Sequence, residues 1–200
     1  MVDFRDLMSQ AKFYESYSRF IEEEGRYETW NEAVERVMNM HREKYKPVMT
    51  KTLSELIDFA EDCYKDQLVL GAQRALQFGG EQLVKHNIKM FNCVSSHCNR
   101  PKFFGEFMYM LLCGAGAGFS VQRHHVNLLP DIKVRDKGTL THVVEDSIEG
   151  WSEAFDVIMS SYFECGGKHP EYQGYKVHFD VTNIRPKGAK ISGGFLPPGS

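Results

Sequence analysis

Between residues 87 and 180 the chain alternates between two hydrophobic periods. That alternation limits what it can fold into more than any other feature. Residues 88–94 form a short run rich in apolar side chains, the pattern of a buried strand. Pro101 then opens a helix, where its missing N–H costs nothing. This helix carries Phe103, Phe107, Met110 and Leu111 and stops at Gly114. Residues 118–122 read as a second strand and residues 140–144, after the loop LLPDIKVRDKG, as a third. Ser147 caps a further helix bearing Trp151, Phe155, Ile158 and Met159, and residues 176–180 form another strand. Strand, helix, strand, helix, strand is an α/β pattern. Helical crossovers of this kind imply parallel strands with helices packed outside them.

Residues 4 to about 80 read as helical instead. Phe13, Tyr17, Phe20 and Ile21 fall at helical spacing. After Gly25, Thr29 with Glu32 three residues on makes a capping-box pattern, and Trp30, Val34, Val37 and Met38 form the apolar face that follows. A third helix begins near Thr52, with Leu53, Leu56, Ile57 and Ala60 on its buried side, and Gly79-Gly80 closes the region. The expected organisation is therefore a helical subdomain over residues 1–80 and an α/β part over 81–200. The tail, IRPKGAKISGGFLPPGS, is irregular. About four strands are visible, few for a closed barrel, so the sheet is expected to be unfinished.

Several function classes are set aside by composition. The 200 residues are 42% hydrophobic and 26% charged, ordinary for a globular protein that buries a core, and the formal net charge is −3. No basic patch is advertised, so nucleic acid is not an expected partner. No run of about 18 apolar residues exists to span a membrane, and MVDFRDLMSQ lacks the apolar segment of a signal peptide. Five cysteines, an odd number, without a secretory signal point to reduced thiols and a cytoplasmic location.

Three constellations could carry chemistry. Cys93, His97 and Cys98, with His124-His125 further on, invite a zinc reading. The spacing is loose and no second tight pair accompanies it, so polar or surface histidines are the simpler reading and no metal is expected. GAGAG, residues 114–118, lies after a helix and before a strand. That order is the reverse of a dinucleotide fingerprint, and no P-loop lysine follows. It reads either as a helix C-cap and tight turn or as a place where missing side chains let a ligand approach the backbone. Among the cysteines, Cys63, Cys113 and Cys165 read as small core residues. Cys93 differs. It sits at a strand end between Asn92 and the polar Ser95-Ser96, where parallel α/β folds place their chemistry.

Taken together, the segments resemble the N-terminal half of the adenosylcobalamin-dependent (class II) ribonucleotide reductases. The resemblance is distributed from about residue 13 to the end. YSRFIEEEGRYETWNEAVERVMNMH (17–41) looks like the family's N-terminal helical signature. RALQFGG (74–80) resembles the segment leading to the substrate pocket. NCV (92–94) matches the strand with the first redox cysteine. GAGAGFSVQR (114–123) matches the glycine-rich turn and next strand, and EDSIEGW (145–151) the start of a barrel helix. FDVTNIRPKGAKISGG (179–194) resembles the family's Arg-Pro-x-Gly-Ala segment. The family's Pro-Ser before the arginine is Ala72-Gln73 here.

The resemblance implies a ten-stranded α/β barrel in two five-stranded halves, of which this chain supplies the helical leader and most of the first half. It implies that Cys93 is one of two cysteines that deliver reducing equivalents to the ribose, that Gly116 lies against the substrate, and that Asn92, Gln73 and Arg74 contact it. The implied cofactor is adenosylcobalamin, held largely by the part of the enzyme beyond this sequence, with an external dithiol of thioredoxin type as reductant. The implied partners are a ribonucleotide, a nucleotide effector and a C-terminal reductase chain that completes the barrel. The family's thiyl-radical cysteine, its partner Glu and Asn, and the second redox cysteine have no counterpart here. The chain alone is thus expected to be inactive. The rival readings are a class I reductase large subunit and a non-catalytic nucleotide-binding or regulatory module.

Overall fold

The computed structural model describes residues 4–189, and these form two compact units, residues 4–90 and 91–189. In the first unit, α1 (Phe4–Ser16) buries only Phe13. Phe20 and Ile21, placed on a helix by their spacing, form β1 (Phe20–Ile21) instead, paired antiparallel with β2 (Arg26–Tyr27). Gly25, at φ +64°, makes the turn, and the Phe20 and Tyr27 rings meet edge-on at 5.2 Å across the pair.

Helix α2 (Trp30–Tyr45) starts as its sequence requires. The Thr29 side chain accepts from the Glu32 amide, and the Glu32 carboxylate accepts from the Thr29 amide at 2.7 Å. Ala33, Val34, Val37 and Met38 are buried. Helix α3 (Lys51–Lys65) is capped by Thr50, two residues earlier than expected. Its buried stripe is Ile57, Glu61 and Tyr64, while Leu56 is 58% exposed and Ala60 is also exposed. A carboxylate enters that stripe because Arg42, at 2.5 Å, and Lys65, at 2.6 Å, neutralise Glu61. The core closes around Trp30. Its ring packs edge-on against Phe13 and Tyr64, both at 5.6 Å, and its indole N–H donates to the Tyr64 and Lys65 carbonyls that end α3.

Two short helices follow, α4 (Gln73–Phe78) and α5 (Glu81–Lys85), so the helical region runs past Gly79-Gly80. The carbonyls at the end of α4 are held by a buried polar network. Arg36 donates to Leu76 O and Gly79 O, both at 2.9 Å, and Arg19 donates to Gly79 O at 2.8 Å. Glu28, itself buried, accepts from Arg36 Nε and Nη2 at 2.8 and 2.9 Å, a bidentate pair on one guanidinium edge. Burial, and then the neighbouring Arg36, bring Arg19 down to about 10, with Glu28 opposing.

In the second unit the chain runs β3 (Cys93–His97), α6 (Phe103–Leu112), β4 (Gly116–Ser120), α7 (Arg123–Val126), β5 (Thr139–Val143), α8 (Ile148–Tyr162) and β6 (Lys176–Asp180). Each long helix is a crossover between parallel strands: α6 joins β3 to β4, and α8 joins β5 to β6. The strands form two separate parallel pairs rather than one four-stranded sheet. The link from β4 to β5 is not a helical crossover. It is α7 plus an extended loop pinned to the end of α8 by Lys133 N–H to Tyr162 O at 2.8 Å and by Arg135 stacked 3.8 Å over the Tyr162 ring.

Three expected boundaries move. Asn87–Met90 is a 3-10 turn, so the first barrel-type strand begins at Cys93 and runs on through polar Ser95, Ser96 and His97. Helix α6 begins at Phe103 rather than Pro101, and β4 begins at Gly116 rather than Gly118. Helices α6 and α8 pack through a point where a side chain is missing: the Gly105 amide donates to the buried Asp156 carboxylate at 3.0 Å, and Ser152 returns a bond to Gly105 O at 2.7 Å. Residues 190–194 of the Arg-Pro-x-Gly-Ala match lie outside the described residues.

Candidate functional site

Cys93 is the first residue of β3 and stands directly opposite Gly116, the first of β4. The pairing is tied by the Gly116 amide, which donates to Asn92 O at 2.8 Å. Because strand side chains alternate, Cys93, Ser95 and His97 share one face, with Gly116, Gly118 and Ser120 across the ladder from them. Val94 and Ser96 on the other face are more covered. The result is an open polar strip in which a thiol, a hydroxyl and an imidazole run beside a column of missing or small side chains.

The glycines before β4 act in two ways, and both sequence readings of GAGAG apply, to different residues. Gly114, at φ +86°, ends α6: its amide bonds Leu111 O at 2.9 Å and the Ala115 amide bonds Met110 O at 3.1 Å, the paired bonds of a Schellman cap. Gly116 and Gly118 are strand residues, the first in contact range of the thiol and the second facing open space. A Cβ on Gly116 would lie 3.7 Å from the Cys93 sulfur, and one on Gly118 would meet nothing within 4 Å.

Cys93 occupies the amino end of its strand, not the carboxyl end that parallel folds favour for ligands, and it is exposed rather than covered. The remaining thiols behave otherwise. Cys98 and Cys113 are buried, and burial pushes the Cys98 thiol up. Burial, then the adjacent Cys113, pushes the Tyr109 phenol up to about 12. Cys165, expected in the core, is exposed beyond the end of α8.

Asn92 is exposed and precedes the thiol. Gln73 and Arg74 belong to the first unit, where they open α4. Gln73 is exposed, and the Arg74 guanidinium lies 5.4 Å from the Phe78 ring centroid. The residues that sequence reasoning passed over are Ser95 and Ser120, which share the Cys93 face, and His97, which was read only as a surface residue. Period-two counting from Cys93 is the signal that finds Ser95 and His97. At the far end of the second strand pair, Arg185 Nε donates to Asp146 at 2.5 Å and its backbone amide at 3.3 Å, and this pairing holds the Asp146 carboxyl below its usual range.

Among the described residues no group of three or more His, Cys, Asp or Glu side chains could hold a metal ion. A two-stranded ladder, its strands about 4.8 Å apart, is also too narrow to enclose a corrin ring. The described residues do not by themselves form a cradle for such a ring. None of the described helices is long and apolar enough to cross a membrane.

Comparison with known proteins gives a consistent relationship. Residues 2–70 match the model of the ribonucleotide reductase alpha domain. The adenosylcobalamin-dependent ribonucleoside-triphosphate reductase of Lacticaseibacillus paracasei is 25% identical over 245 residues, covering 89% of this chain and 32% of the relative. The enzyme of Lactobacillus leichmannii is 23% identical with the same coverage. A putative enzyme of the same description from Mycobacterium phage D29 is 25% identical over 88% of this chain and 28% of its own. A crystal structure of a B-12 dependent (class II) ribonucleotide reductase superposes with a TM-score of 0.77 at 19% identity, over 92% of this chain and 33% of that one. The chain therefore spans about a third of the length of these relatives, not the half that its motifs suggested. It is a homologue of the adenosylcobalamin-dependent, class II ribonucleotide reductases, matching the N-terminal third of the full enzyme.

Proposed function

We propose that this chain is the N-terminal part of an adenosylcobalamin-dependent ribonucleotide reductase and contributes the first half of the catalytic barrel, with the helical unit as its leader. The observation that carries the reading is Cys93: an exposed thiol at the start of a parallel strand, facing a glycine that leaves the sulfur open to a ligand. The relatives are reductases of ribonucleoside triphosphates, which favours a triphosphate substrate.

The overall reaction is ribonucleotide plus dithiol giving 2′-deoxyribonucleotide, disulfide and water. The 2′-hydroxyl leaves as water. Two electrons and two hydrogens come from a thiol pair, which ends as a disulfide. Cys93 is one member of that pair. The other, together with the radical-forming cysteine, comes from a C-terminal partner chain that closes the barrel. Adenosylcobalamin would be held largely by residues outside this chain and, when bound there, would supply the initial radical. Gly116 keeps the space beside the sulfur free for the sugar, and Asn92 contacts it. An external dithiol of thioredoxin type reduces the disulfide in a cytoplasm that keeps the five thiols free. Residues 128–138 are the proposed place of effector control.

The test is deoxyribonucleotide formation with adenosylcobalamin and a dithiol, using the chain alone, the chain with its C-terminal partner, and Cys93→Ser with that partner. Activity confined to the wild-type mixture supports the assignment. An active Cys93→Ser mixture refutes the redox role and leaves a nucleotide-binding module with reductase architecture. Activity that does not depend on cobalamin points to a class I enzyme instead. Replacing Gln73 or Arg74 by Ala in the same mixture tests their substrate contacts through KM.

A further inference from the structure

The far end of the β3–β4 pair holds three imidazoles that the proposed chemistry does not use. His97 ends β3, and His124 and His125 lie in α7. The His125 ring centroid is 4.4 Å from that of His97 and 4.0 Å from that of His124. His125 Nδ1 lies 3.0 Å from the Ser120 hydroxyl at the end of β4. The same hydroxyl accepts the Gln122 amide at 3.3 Å, and the Ser120 carbonyl accepts the Cys98 amide at 3.0 Å. Ser120 is thus the hub that joins the end of the ladder to α7.

We propose that His125, packed between the His97 and His124 rings, forms an acid-sensitive clasp that holds α7 on the end of the β3–β4 pair when its imidazole is neutral and releases it when that imidazole is protonated.

The helix has only four residues, too short to be stable by itself. Its order depends on the His125 ring wedged between its two neighbours and on the bond to Ser120. With the Ser120 hydroxyl already accepting from Gln122, a neutral His125 completes the pattern by accepting the hydroxyl proton at Nδ1. Protonation turns Nδ1 into a donor, so the bond survives only if the Ser120 hydroxyl turns away, and it sets a positive charge against the two rings packed on His125. The surroundings offer no relief. Arg123, on the same helix, is exposed and cationic. Arg100, in the turn after β3, lies against the His97 carbonyl at 3.5 Å. Glu106 of α6, the carboxylate that meets Arg100, is occupied by it at 3.0 Å from Nε. The Cys98 thiol beside His97 is buried, and burial pushes it up, so it stays neutral.

The direction agrees with linkage. Desolvation first, then His124 and His97, hold His125 below the ordinary imidazole value of 6.5. A base lowered in the packed state favours packing above 6.5, and the packing is lost as pH falls through the lowered value. The clasp therefore closes at neutral pH and opens on acidification. This conclusion does not depend on the reductase reading.

Hydrogen exchange on the full chain, corrected for intrinsic rates and compared at pH 7.5 and 5, tests it. The reporting amides are those of residues 125–129, which bond to the carbonyls of Gln122, Arg123, His125 and Val126. Their protection is expected to fall about tenfold or more, the effect of one pKa unit of differential protonation. The Cys98 and Gly116 amides of the ladder are expected to keep theirs. His125→Asn, which keeps a polar side chain but cannot titrate, is expected to flatten the pH response of residues 125–129, and His97→Gln, which removes the ring packed against His125, is expected to diminish it. Equal protection at both pH values overturns the clasp. So does an undiminished response in both variants, or loss of the ladder amides in parallel with those of α7.

Discussion

Gly116 stands across the ladder from Cys93, and a methyl group added there would touch the thiol sulfur at 3.7 Å and the Asn92 carbonyl at 3.4 Å. That is contact without collision, so Gly116→Ala is expected to fold as the wild type does. It should slow the reaction of Cys93 with a bulky disulfide reagent about two- to tenfold, the kinetic equivalent of forcing the thiol from its preferred rotamer. Gly118→Ala, with nothing within 4 Å, is the control and should leave the rate alone. Following thiolate release in a background where the other exposed cysteine, Cys165, is Ser isolates the signal. Equal rates in all three proteins would mean that Gly116 does not shape access to the sulfur.

The same absence of a side chain is structural at Gly105. A Cβ there would be driven into the Asp156 carboxylate, which is buried and already accepts from the Gly105 amide and from Lys168 at 3.2 Å. Gly105→Ala is expected to lower stability by about 1–3 kcal/mol through overpacking. Asp156→Ala removes the obstacle and leaves the amide unpaired, so the double variant should cost less than the sum of the two. Denaturant unfolding of the four proteins provides the cycle, and strict additivity would argue that the two residues do not meet.

Glu28 is the centre of the network that fastens the end of α4. Glu28→Gln keeps its shape but leaves the Arg36 and Arg19 guanidiniums facing each other without a carboxylate. Breaking a buried pair in this way is expected to cost about 3–5 kcal/mol. The exposed pair Lys12–Glu15, at 3.1 Å, serves as the contrast: Glu15→Gln should change stability by less than about 1 kcal/mol. Chemical denaturation compares them directly, and similar small losses for both would remove Glu28 from any structural role.

Glu32 gives a prediction in pH. Its pairing with Arg26 first, and then the Thr29 amide and hydroxyl, hold its carboxyl down to about 2. Because the folded value is depressed, the cap's contribution is fully present above the ordinary value of 4.5 and is lost as pH falls through about 2. An NMR titration of the Glu32 carboxyl should show that low midpoint, and Arg26→Gln should move it upward. Thr29→Ala removes the cap and should cost about 0.5–2 kcal/mol. A Glu32 midpoint at the ordinary value would show that the capping box is not closed in solution.

The contrast between α2 and α3 shows how far the pattern of residues reaches. Helix α2 is legible because its cap and its apolar stripe are both local, set by side chains within one turn of each other. On α3 the expected Ile57 is buried and Leu53 packs on the core, but Leu56 and Ala60 are exposed, because Glu61 takes a core position that Lys65 and Arg42, nineteen residues away, make tolerable. Phe20 and Ile21 fit a helical period and still form a strand, since two residues carry too little periodicity to resist the turn at Gly25. Cys93 was found as the distinctive thiol, while its neighbours on the open face were not, because a strand of uncertain start cannot be counted in twos. Glycine was legible as a break before β4. Which glycine caps the helix and which faces the thiol depended on a register set by β3.

The amino-acid sequence by itself determined the alternation of strands and helices in the second unit, the capped helix α2 and the kinship with class II reductases. These rest on short-range physics and on residue identity. The tertiary structure alone decided that the strands pair two by two, that Gly116 faces the sulfur and Gly105 the Asp156 carboxylate, and that three histidines from β3 and α7 meet over Ser120. Each of those is a contact between residues distant along the chain or set by register. Its energy depends on packing that no local pattern encodes.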